Sequence, residues 1–192
     1  VKCKRKVALE DDKYPLDPGL GGPEYESLAA LGSSLCNDNL PALARGNQLC
    51  NLYGMDVISA GNCIAFAMEC YEAGILTPDD LEGRSLNWGD ADAILWMIEQ
   101  LAQRKGVGDV LAEGVHLASR KIGQGAEQFD FTIKNNDLPF HDGRGKTGMA
   151  LGYALSATGA DHVETPHDHA FLGDGIAKLA PLGLHESFEP TD

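Results

Sequence analysis

Two apolar helical patterns joined by six residues, 51–56, constrain the fold of this chain most strongly. The first pattern opens with Asn-Leu-Pro at 39–41 and runs to Tyr53, and the second ends before Gly74. A capping residue followed by proline is a typical helix start, and glycine after the last turn is a typical stop. The sequence therefore predicts two helices that meet at a tight corner, with Gly54 in the left-handed conformation.

Capping signals of the same kind predict further helices. We expect Ser59 to cap the second helix of the corner and Asp90 to cap a longer helix that ends at Gly106. A Thr-Pro-Asp-Asp start at 77–80 predicts a short helix, and period-two alternation over 129–134 predicts the one convincing strand. The remaining predicted helices cover residues 109–122 and 149–158. The predicted fold is mostly α, a multi-helical domain with one or two short β-strands.

Composition changes along the chain predict three regions. Residues 1–22 form an extended or looped lead-in, residues 23–128 a helical domain, and residues 129–192 a strand followed by histidine-rich loops. The chain starts on Val1 rather than methionine, which leads us to expect that it begins part-way through a larger protein.

The charge balance restricts the partners of the protein. The 192 residues include 29 acidic and 15 basic side chains, for a formal charge of −14. Such a balance argues against nucleic acid or an anionic membrane as a partner. The sequence has neither a signal peptide nor an apolar stretch long enough to span a bilayer, so we expect a cytoplasmic protein.

The five cysteines do not predict a disulfide framework, because their number is odd and none forms a C-x-x-C pair. Cys63 and Cys70 lie one heptad apart and are expected in the core as small apolar residues. Cys3 lies among lysines and an arginine, a setting that favours the thiolate and suits a metal or cluster ligand.

The corner at 51–56 has two interpretations. Asn51 on the last turn of one helix and Asp56 at the mouth of the next would converge on a flat ligand rich in N–H donors, such as a pterin. The same residues are also ordinary helix-capping chemistry. Both interpretations stay open on the residues alone.

Glu24 and Glu26 follow Pro23 at the start of a predicted helix. Acidic groups in a first turn are favoured by the helix dipole alone. The functional alternative is that one of them faces inward, is partly desolvated, and moves a proton or orients water near a metal centre. We expect the apolar face of this helix to include Tyr25, Leu28 and Leu31.

Histidines concentrate after residue 140, where five of the six are found. Loops carry functional side chains disproportionately, and imidazole changes its charge near neutral pH. A proton relay, a nitrogen and oxygen metal site, and plain surface residues are the three alternatives. The metal site would use His162, His167 and His169 with Asp161 and Asp168.

Four ordered blocks of sequence resemble the tungsten-containing aldehyde:ferredoxin oxidoreductase family over nearly the whole chain. The blocks are Gly-Pro-Glu-Tyr-Glu-Ser, Cys-Asn-Leu-Tyr-Gly-Met-Asp-Val-Ile-Ser-Ala-Gly, Leu-Ala-Glu-Gly-Val and Gly-Tyr-Ala-Leu-Ser-Ala-Thr-Gly-Ala-Asp-His. Several blocks in order are more specific than any single motif. The resemblance implies a multi-helical middle region of a larger protein that holds tungsten, or molybdenum, on two pterins near a [4Fe-4S] cluster.

The resemblance also implies roles for particular residues. Residues 51–56 match the first pterin motif of the family, which makes Asn51, Gly54, Met55 and Asp56 the candidate pterin-binding residues, although Asn51 replaces the usual aspartate. Cys3 looks like the third thiolate of the C-x2-C-x3-C cluster motif. The other cluster ligands and the second pterin motif would lie outside these 192 residues.

The implied chemistry is oxidation of an aldehyde to a carboxylic acid by water, with electrons passing through the cluster to ferredoxin. Glu26 would orient or deprotonate the attacking water, and His162 would polarise the carbonyl or shuttle a proton. His141, where several relatives have tyrosine, would shape the substrate pocket together with Arg144.

The isolated 192 residues are expected to bind neither cofactor stably and to be inactive, because two cluster thiolates and half of the pterin contacts would be missing. Apolar faces left uncovered by the missing N- and C-terminal regions of the parent protein would then promote self-association into homo-oligomers. Two other classes of function stay open. One is a non-catalytic helical interaction module, and the other is a small metal-binding protein that uses His162, His167, His169 and Asp168.

Overall fold

A computed structural model describes residues 5–186, which form two compact units with the boundary between Phe140 and His141. Helices dominate the described residues, and the sheet found among them has two short strands, so the predicted mostly α fold class is confirmed. Among residues 5–186, helices of membrane-spanning length and hydropathy are absent.

The first unit is a set of packed helices followed by a small hairpin. Strands β1 (Thr132–Ile133) and β2 (Asn136–Asp137) pair antiparallel, with Thr132 opposite Asp137. Short 3₁₀ helices cover Pro18–Leu20, Ser33–Leu35, Pro78–Leu81 and Ala126–Phe129. The α-helices are α1 (Tyr25–Leu31), α2 (Leu40–Tyr53), α3 (Val57–Glu72), α4 (Ala91–Gln103), α5 (Val107–Leu111) and α6 (Val115–Ile122).

Helix α3 carries much of the core of the first unit. Its residues Ile64, Met68 and Cys70 are fully buried, and Cys63 is 3% exposed, which confirms that Cys63 and Cys70 are core residues. Side chains from α1, α2, α4, α5 and α6 also contribute to this core. The cysteines within residues 5–186 are all free thiols.

Most predicted helix starts are confirmed. Asn39 caps α2, accepting a hydrogen bond from the Ala42 amide at 3.1 Å. Asp90 caps α4 in the same way, and Thr77 with Asp80 forms a capping box at the short 3₁₀ helix. The short polar residues that cap these helices by accepting hydrogen bonds from first-turn amides could therefore be predicted from the sequence.

Several predicted helix limits are wrong. Asp56, not Ser59, caps α3, because its Oδ1 accepts the Ser59 amide at 2.8 Å. Helix α4 ends at Gln103, where Arg104 adopts the left-handed conformation, before reaching Gly106. The single helix expected over 109–122 is two helices, because Gly114 has φ of 85° and ψ of 159°, outside the helical region.

The strand expected over 129–134 shrinks to the two residues of β1. The Asp130 carboxylate accepts hydrogen bonds from both the amide and the hydroxyl of Thr132, which bends the chain there. Lys134 and Asn135 have positive φ values of 53° and 66° and close the hairpin at once. Local hydrogen bonding therefore overrides the period-two pattern.

The buried face of α1 also differs from the predicted face. Tyr25 is 50% exposed and Leu28 is 39% exposed, whereas Leu31 is buried as expected. The inward face consists of Glu26, Ser27, Ala30 and Leu31. A helix of seven residues has too few positions for apolar periodicity to define its orientation, so tertiary packing decides it.

The second unit is built around α7 (Thr147–Leu155), close to the helix expected over 149–158. The 3₁₀ segments Asp168–Phe171 and Gly173–Leu182 follow it. Met149 at 0% and Tyr153 at 2% exposure are its most buried large side chains. Its core is therefore small, and loops make up much of the unit.

Candidate functional site

The corner between α2 and α3 has the predicted geometry. Gly54 is left-handed, with φ of 68° and ψ of 30°, and its amide bonds to the last carbonyls of α2. Asp56 Oδ1 caps α3, which leaves the other carboxylate oxygen as an acceptor for a ligand. The Asn51 amide nitrogen donates to the Leu20 carbonyl at 3.2 Å. The capping interpretation is thus confirmed, and acceptor groups remain at an exposed corner.

A cavity of about 340 Å³ adjoins this corner. Its size lies at the lower end of the range for small-molecule sites, about 300–1,000 Å³. Met55, Asp56 and Arg104 are among the residues that line it, and the Arg104 guanidinium is held by Asp109 and Glu113. Most of the remaining lining is apolar and comes from α3, α4 and α5, namely Ala60, Cys63, Leu101, Ala102, Leu111 and Ala112.

This arrangement fits the edge and face of a planar heterocycle. A carboxylate acceptor beside an apolar wall can accept N–H donors of a pterin ring while the wall contacts its face. The exposed carboxamide of Asn51 adds a neutral acceptor at the same corner. The residues present therefore suit part of a pterin site, although Asn51 gives up the charge that an aspartate would contribute.

The sequence did not decide which of Glu24 and Glu26 faces inward, and in the structure it is Glu26. The residue is 6% exposed on α1, and its Oε2 accepts a hydrogen bond from the Phe140 amide at 3.0 Å. Glu24 instead forms an ion pair with Arg5 at 3.2 Å, with 39% of its side chain exposed. Because burying a carboxylate is costly, a buried one on the inward face of a helix is a candidate for chemistry.

Four imidazoles lie together in the second unit. The ring centroid of His141 is 4.6 Å from that of His167 and 5.1 Å from that of His162. His167 and His162 are 6.1 Å apart, and His169 lies 5.8 Å from His167. The first three are half-buried and His169 is exposed, so the histidine-rich loops converge into a cluster rather than scatter over the surface.

Helix α7 organises this cluster from two sides. Both carboxylate oxygens of Asp168 accept amides of the first turn of α7, from Gly148 at 2.8 Å and from Met149 at 3.1 Å. This cap holds the segment that carries His167 against the helix. On the other side the Tyr153 hydroxyl donates to the His141 carbonyl at 3.3 Å.

The acidic residues near the histidines bind backbone. Asp168 uses both oxygens for the α7 cap, and Asp161 Oδ1 accepts the Val163 amide at 2.7 Å. A metal ligand role for Asp168 would therefore compete with helix capping. Arg144 is 92% exposed and paired with Asp142, so its guanidinium is already occupied at the surface.

The environment of His141 favours the neutral ring. Burial lowers the pKa of His141 to about 4, and the charges of Lys146, His167 and His162 act in the same direction. Lys146 Nζ lies 3.1 Å from His141 Nδ1. At neutral pH this imidazole is therefore uncharged and has hydrogen-bonding capacity without the desolvation cost of a cation.

The predicted site residues divide between the two units. Glu26 and the corner residues Asn51, Gly54, Met55 and Asp56 belong to the first unit, and His141 and His162 belong to the second. Cys3 lies outside the described residues, so its role as a cluster ligand stays a prediction. The assignment of catalytic and pterin-binding roles to the other residues also stays a prediction.

Two residues of interest escaped the sequence reasoning. Asp137 on β2 is half-buried and accepts hydrogen bonds from the Ser59 hydroxyl and the Val115 amide, and burial raises its pKa. Lys146 contacts His141 across a short loop. The sequence carried a signal for neither, because each acquires its surroundings from elements that only the fold brings near.

Comparison with known proteins gives consistent matches. The model of the family described as aldehyde ferredoxin oxidoreductase, domains 2 and 3, matches residues 1–188. The tungsten-containing aldehyde ferredoxin oxidoreductase of Thermococcus kodakarensis is 40% identical over 151 residues, covering 77% of this chain and 25% of that protein. Its namesake from Pyrococcus furiosus is 38% identical over 144 residues, covering 74% and 24%. The chain spans about a quarter of the length of these relatives.

A solved structure is also similar. It is the active site complex BamBC of benzoyl coenzyme A reductase in complex with 1,5-dienoyl-CoA, which matches with a TM-score of 0.58 and 28% sequence identity. The match covers 69% of this chain and 20% of that chain. Sequence and structure comparisons thus agree with the resemblance carried by the four sequence blocks.

Proposed function

Because this chain belongs to the aldehyde ferredoxin oxidoreductase family, we propose that it contributes part of an enzyme that oxidises an aldehyde to a carboxylic acid and passes the electrons to ferredoxin. The observation that carries this proposal is the burial of Glu26, a carboxylate on the inward face of α1. The reaction converts an aldehyde and water into a carboxylic acid, two electrons and two protons. Water activation and proton removal are therefore the tasks for side chains.

The cofactors in this proposal are a tungsten or molybdenum bis-pterin and a [4Fe-4S] cluster. When bound, they supply the two-electron oxidation chemistry and one-electron transfer. Asp56, Asn51 and the backbone at Gly54 and Met55 would hold one pterin, supported by the acceptors and the cavity beside the corner. Cys3 would be one thiolate ligand of the cluster.

Glu26 is proposed as the group that orients or deprotonates the attacking water. The Phe140 amide donates a hydrogen bond to Oε2 of Glu26 and so holds the carboxylate in one orientation before the substrate binds. A buried carboxylate held in one orientation is placed to accept a proton from the water. Glu24 instead lies at the surface in an ion pair with Arg5.

His162 and His141 are proposed to act on the substrate side. His162 would polarise the carbonyl or carry a proton, and its half-buried ring packs near two other imidazoles that would assist either role. His141 would line the substrate pocket as a neutral ring. Because Arg144 is exposed and paired with Asp142, we do not extend a pocket role to it.

The test is an assay of the product of the complete gene, purified without oxygen and loaded with tungsten or molybdenum. We expect one carboxylic acid and two reduced one-electron acceptors for each aldehyde consumed, with either ferredoxin or a viologen dye. A fully metallated protein that oxidises none of a panel of aliphatic and aromatic aldehydes would contradict the proposal. An interaction module would instead tolerate replacement of both Glu26 and His162.

A further inference from the structure

In the hydrogen bond between Lys146 and His141, the donor and the acceptor can be assigned. Lys146 immediately precedes α7, and its Nζ lies 3.1 Å from Nδ1 of His141. A lysine ammonium has three N–H donors and cannot accept a hydrogen bond. The Nδ1 atom of His141 must therefore be the acceptor, and a neutral ring with an unprotonated Nδ1 carries its hydrogen on Nε2.

The orientation of the same ring is fixed by its neighbours. His167 packs edge-on, with 87° between the ring planes, and His162 packs tilted at 37°. The Tyr153 hydroxyl holds the backbone carbonyl of His141, and Tyr153 itself is 2% exposed. The tautomer of His141 is thus determined by Lys146, and the orientation of its ring by the packing of the neighbouring imidazoles.

We propose that Lys146 is a positioning residue that holds His141 in its Nε2–H tautomer, so that His141 offers a fixed hydrogen-bond donor to an oxygen acceptor of the substrate. The acceptor class is a carbonyl or carboxylate oxygen, and this part rests on the proposed aldehyde oxidation. The tautomer itself follows from the Lys146 contact whatever the reaction. The lowered pKa of His141 is consistent with the assignment, because burial, and after it the charge of the lysine ammonium, disfavour a cation at this position.

A fixed tautomer matters because a solvated imidazole exchanges its hydrogen between the two nitrogens. A donor that is already in place contributes to electrostatic stabilisation of a developing negative oxygen without reorganisation. A neutral donor also avoids most of the cost of burying a cation. Lys146 would thus act through His141, without touching the substrate.

The experiment is nitrogen NMR of histidine-labelled protein from the complete gene, with the His141 signals assigned by their loss in His141→Asn. At pH 7 we expect wild-type His141 to show an unprotonated Nδ1 and a protonated Nε2 at their limiting shifts. Lys146→Met should move the Nδ1 signal towards the average of exchanging tautomers. Lys146→Arg, which keeps a cationic donor, should restore the wild-type pattern, and Lys178→Met, an exposed lysine of the same unit, should leave it unchanged.

A protonated Nδ1 in the wild type, or a His141 spectrum unaffected by Lys146→Met, would overturn the inference even if the enzyme is active. Kinetics then test the substrate part separately. We expect Lys146→Met to lower kcat/KM for the aldehyde and Lys146→Arg to recover it. The expected tautomer change with unaltered kcat/KM would refute donation to the substrate, whereas failure of aldehyde oxidation in the wild type would count against the proposed function alone.

Discussion

The two units hold their candidate residues by different means. In the first unit Glu26 is part of α1 and Asp56 caps α3, so both are fixed by helices whose buried faces form a shared core. In the second unit the imidazoles of His141, His162 and His167 come from loops, and α7 holds these loops through the Asp168 cap and the Tyr153 hydroxyl. Packed helices thus place the carboxylates of the first unit, whereas side-chain hydrogen bonds place the imidazoles of the second unit.

This difference suggests a division of labour. Residues on packed helices cannot move without loss of core contacts, which suits a cofactor that must be held rigidly. Loops held by a few hydrogen bonds open at lower free energy, which suits entry and exit of substrate. Substitutions in the two units should differ most in their loss of stability at Met68, less at Asp56 and least at Asp168, and His141 adds a pH dependence.

Met68 on α3 and Met149 on α7 form a matched pair, since both are fully buried. Met68→Ala should lower the free energy of unfolding by about 2–5 kcal/mol, because the surrounding helices cannot collapse into the cavity. Met149→Ala should lower the global free energy of unfolding by less, and it should instead increase amide hydrogen exchange throughout residues 141–186. Urea denaturation with hydrogen exchange measures both effects. Equal global losses for the two variants would contradict the contrast.

Asp56 tests whether the corner does more than cap a helix. Asp56→Ala should lower stability by about 1 kcal/mol, whereas Asp56→Asn should leave it nearly unchanged, because Asn is an equally good N-cap. Asp56→Asn should nevertheless reduce the pterin and tungsten content of the complete protein, since a charge-assisted acceptor is lost. Asp90→Asn, the same change at the cap of α4, serves as the control and should retain full metal content.

Asp168→Ala removes the cap that joins the histidine segment to α7. The expected loss of global stability is under about 1 kcal/mol, because the small second unit contributes little to the whole. The local effect should be larger, with much faster exchange of the Gly148 and Met149 amides, which donate to Asp168. Unchanged exchange at these two amides would show that packing alone holds the loop.

The last expected effect is a pH dependence from His141. Its pKa is about 4 in the folded protein and 6.5 when unperturbed, so the unfolded chain binds this proton first as the pH falls. The free energy of unfolding should therefore decline from about pH 6.5 towards pH 4, and the part of the decline that comes from His141 should be complete below that range. Denaturation at pH 7 and pH 5 should show a steeper decline for the wild type than for His141→Gln. Parallel declines would contradict the assignment of this effect to His141.

The corner and its caps were predictable because they depend on local hydrogen bonds. Asn39, Gly54 and Asp90 act within a few residues of themselves, and capping preferences describe such contacts well. Ser59 was mistaken for a cap because Asp56, three residues earlier, is an equally good candidate, and the choice between them depends on where the chain turns.

The burial of Glu26 and the partners of His141 could not be predicted in the same way. Which face of α1 points inward depends on packing against the rest of the first unit, and the exposed Tyr25 and Leu28 misled the periodicity argument. The contact of Lys146 with His141 depends on the path of a loop that has no periodic signal. Non-local packing thus decides the chemistry, while local propensity decides the scaffold.

A catalytic role for the buried carboxylate of α1 is tested by comparing Glu26→Gln with Glu24→Gln in metal-loaded protein from the complete gene. We predict that Glu26→Gln lowers kcat for aldehyde oxidation by roughly 10²-fold or more with the metal and iron content intact, as expected for loss of a general base. Glu24→Gln should retain kcat near the wild-type value. Equal rates for both variants at full cofactor loading would contradict a catalytic role for Glu26.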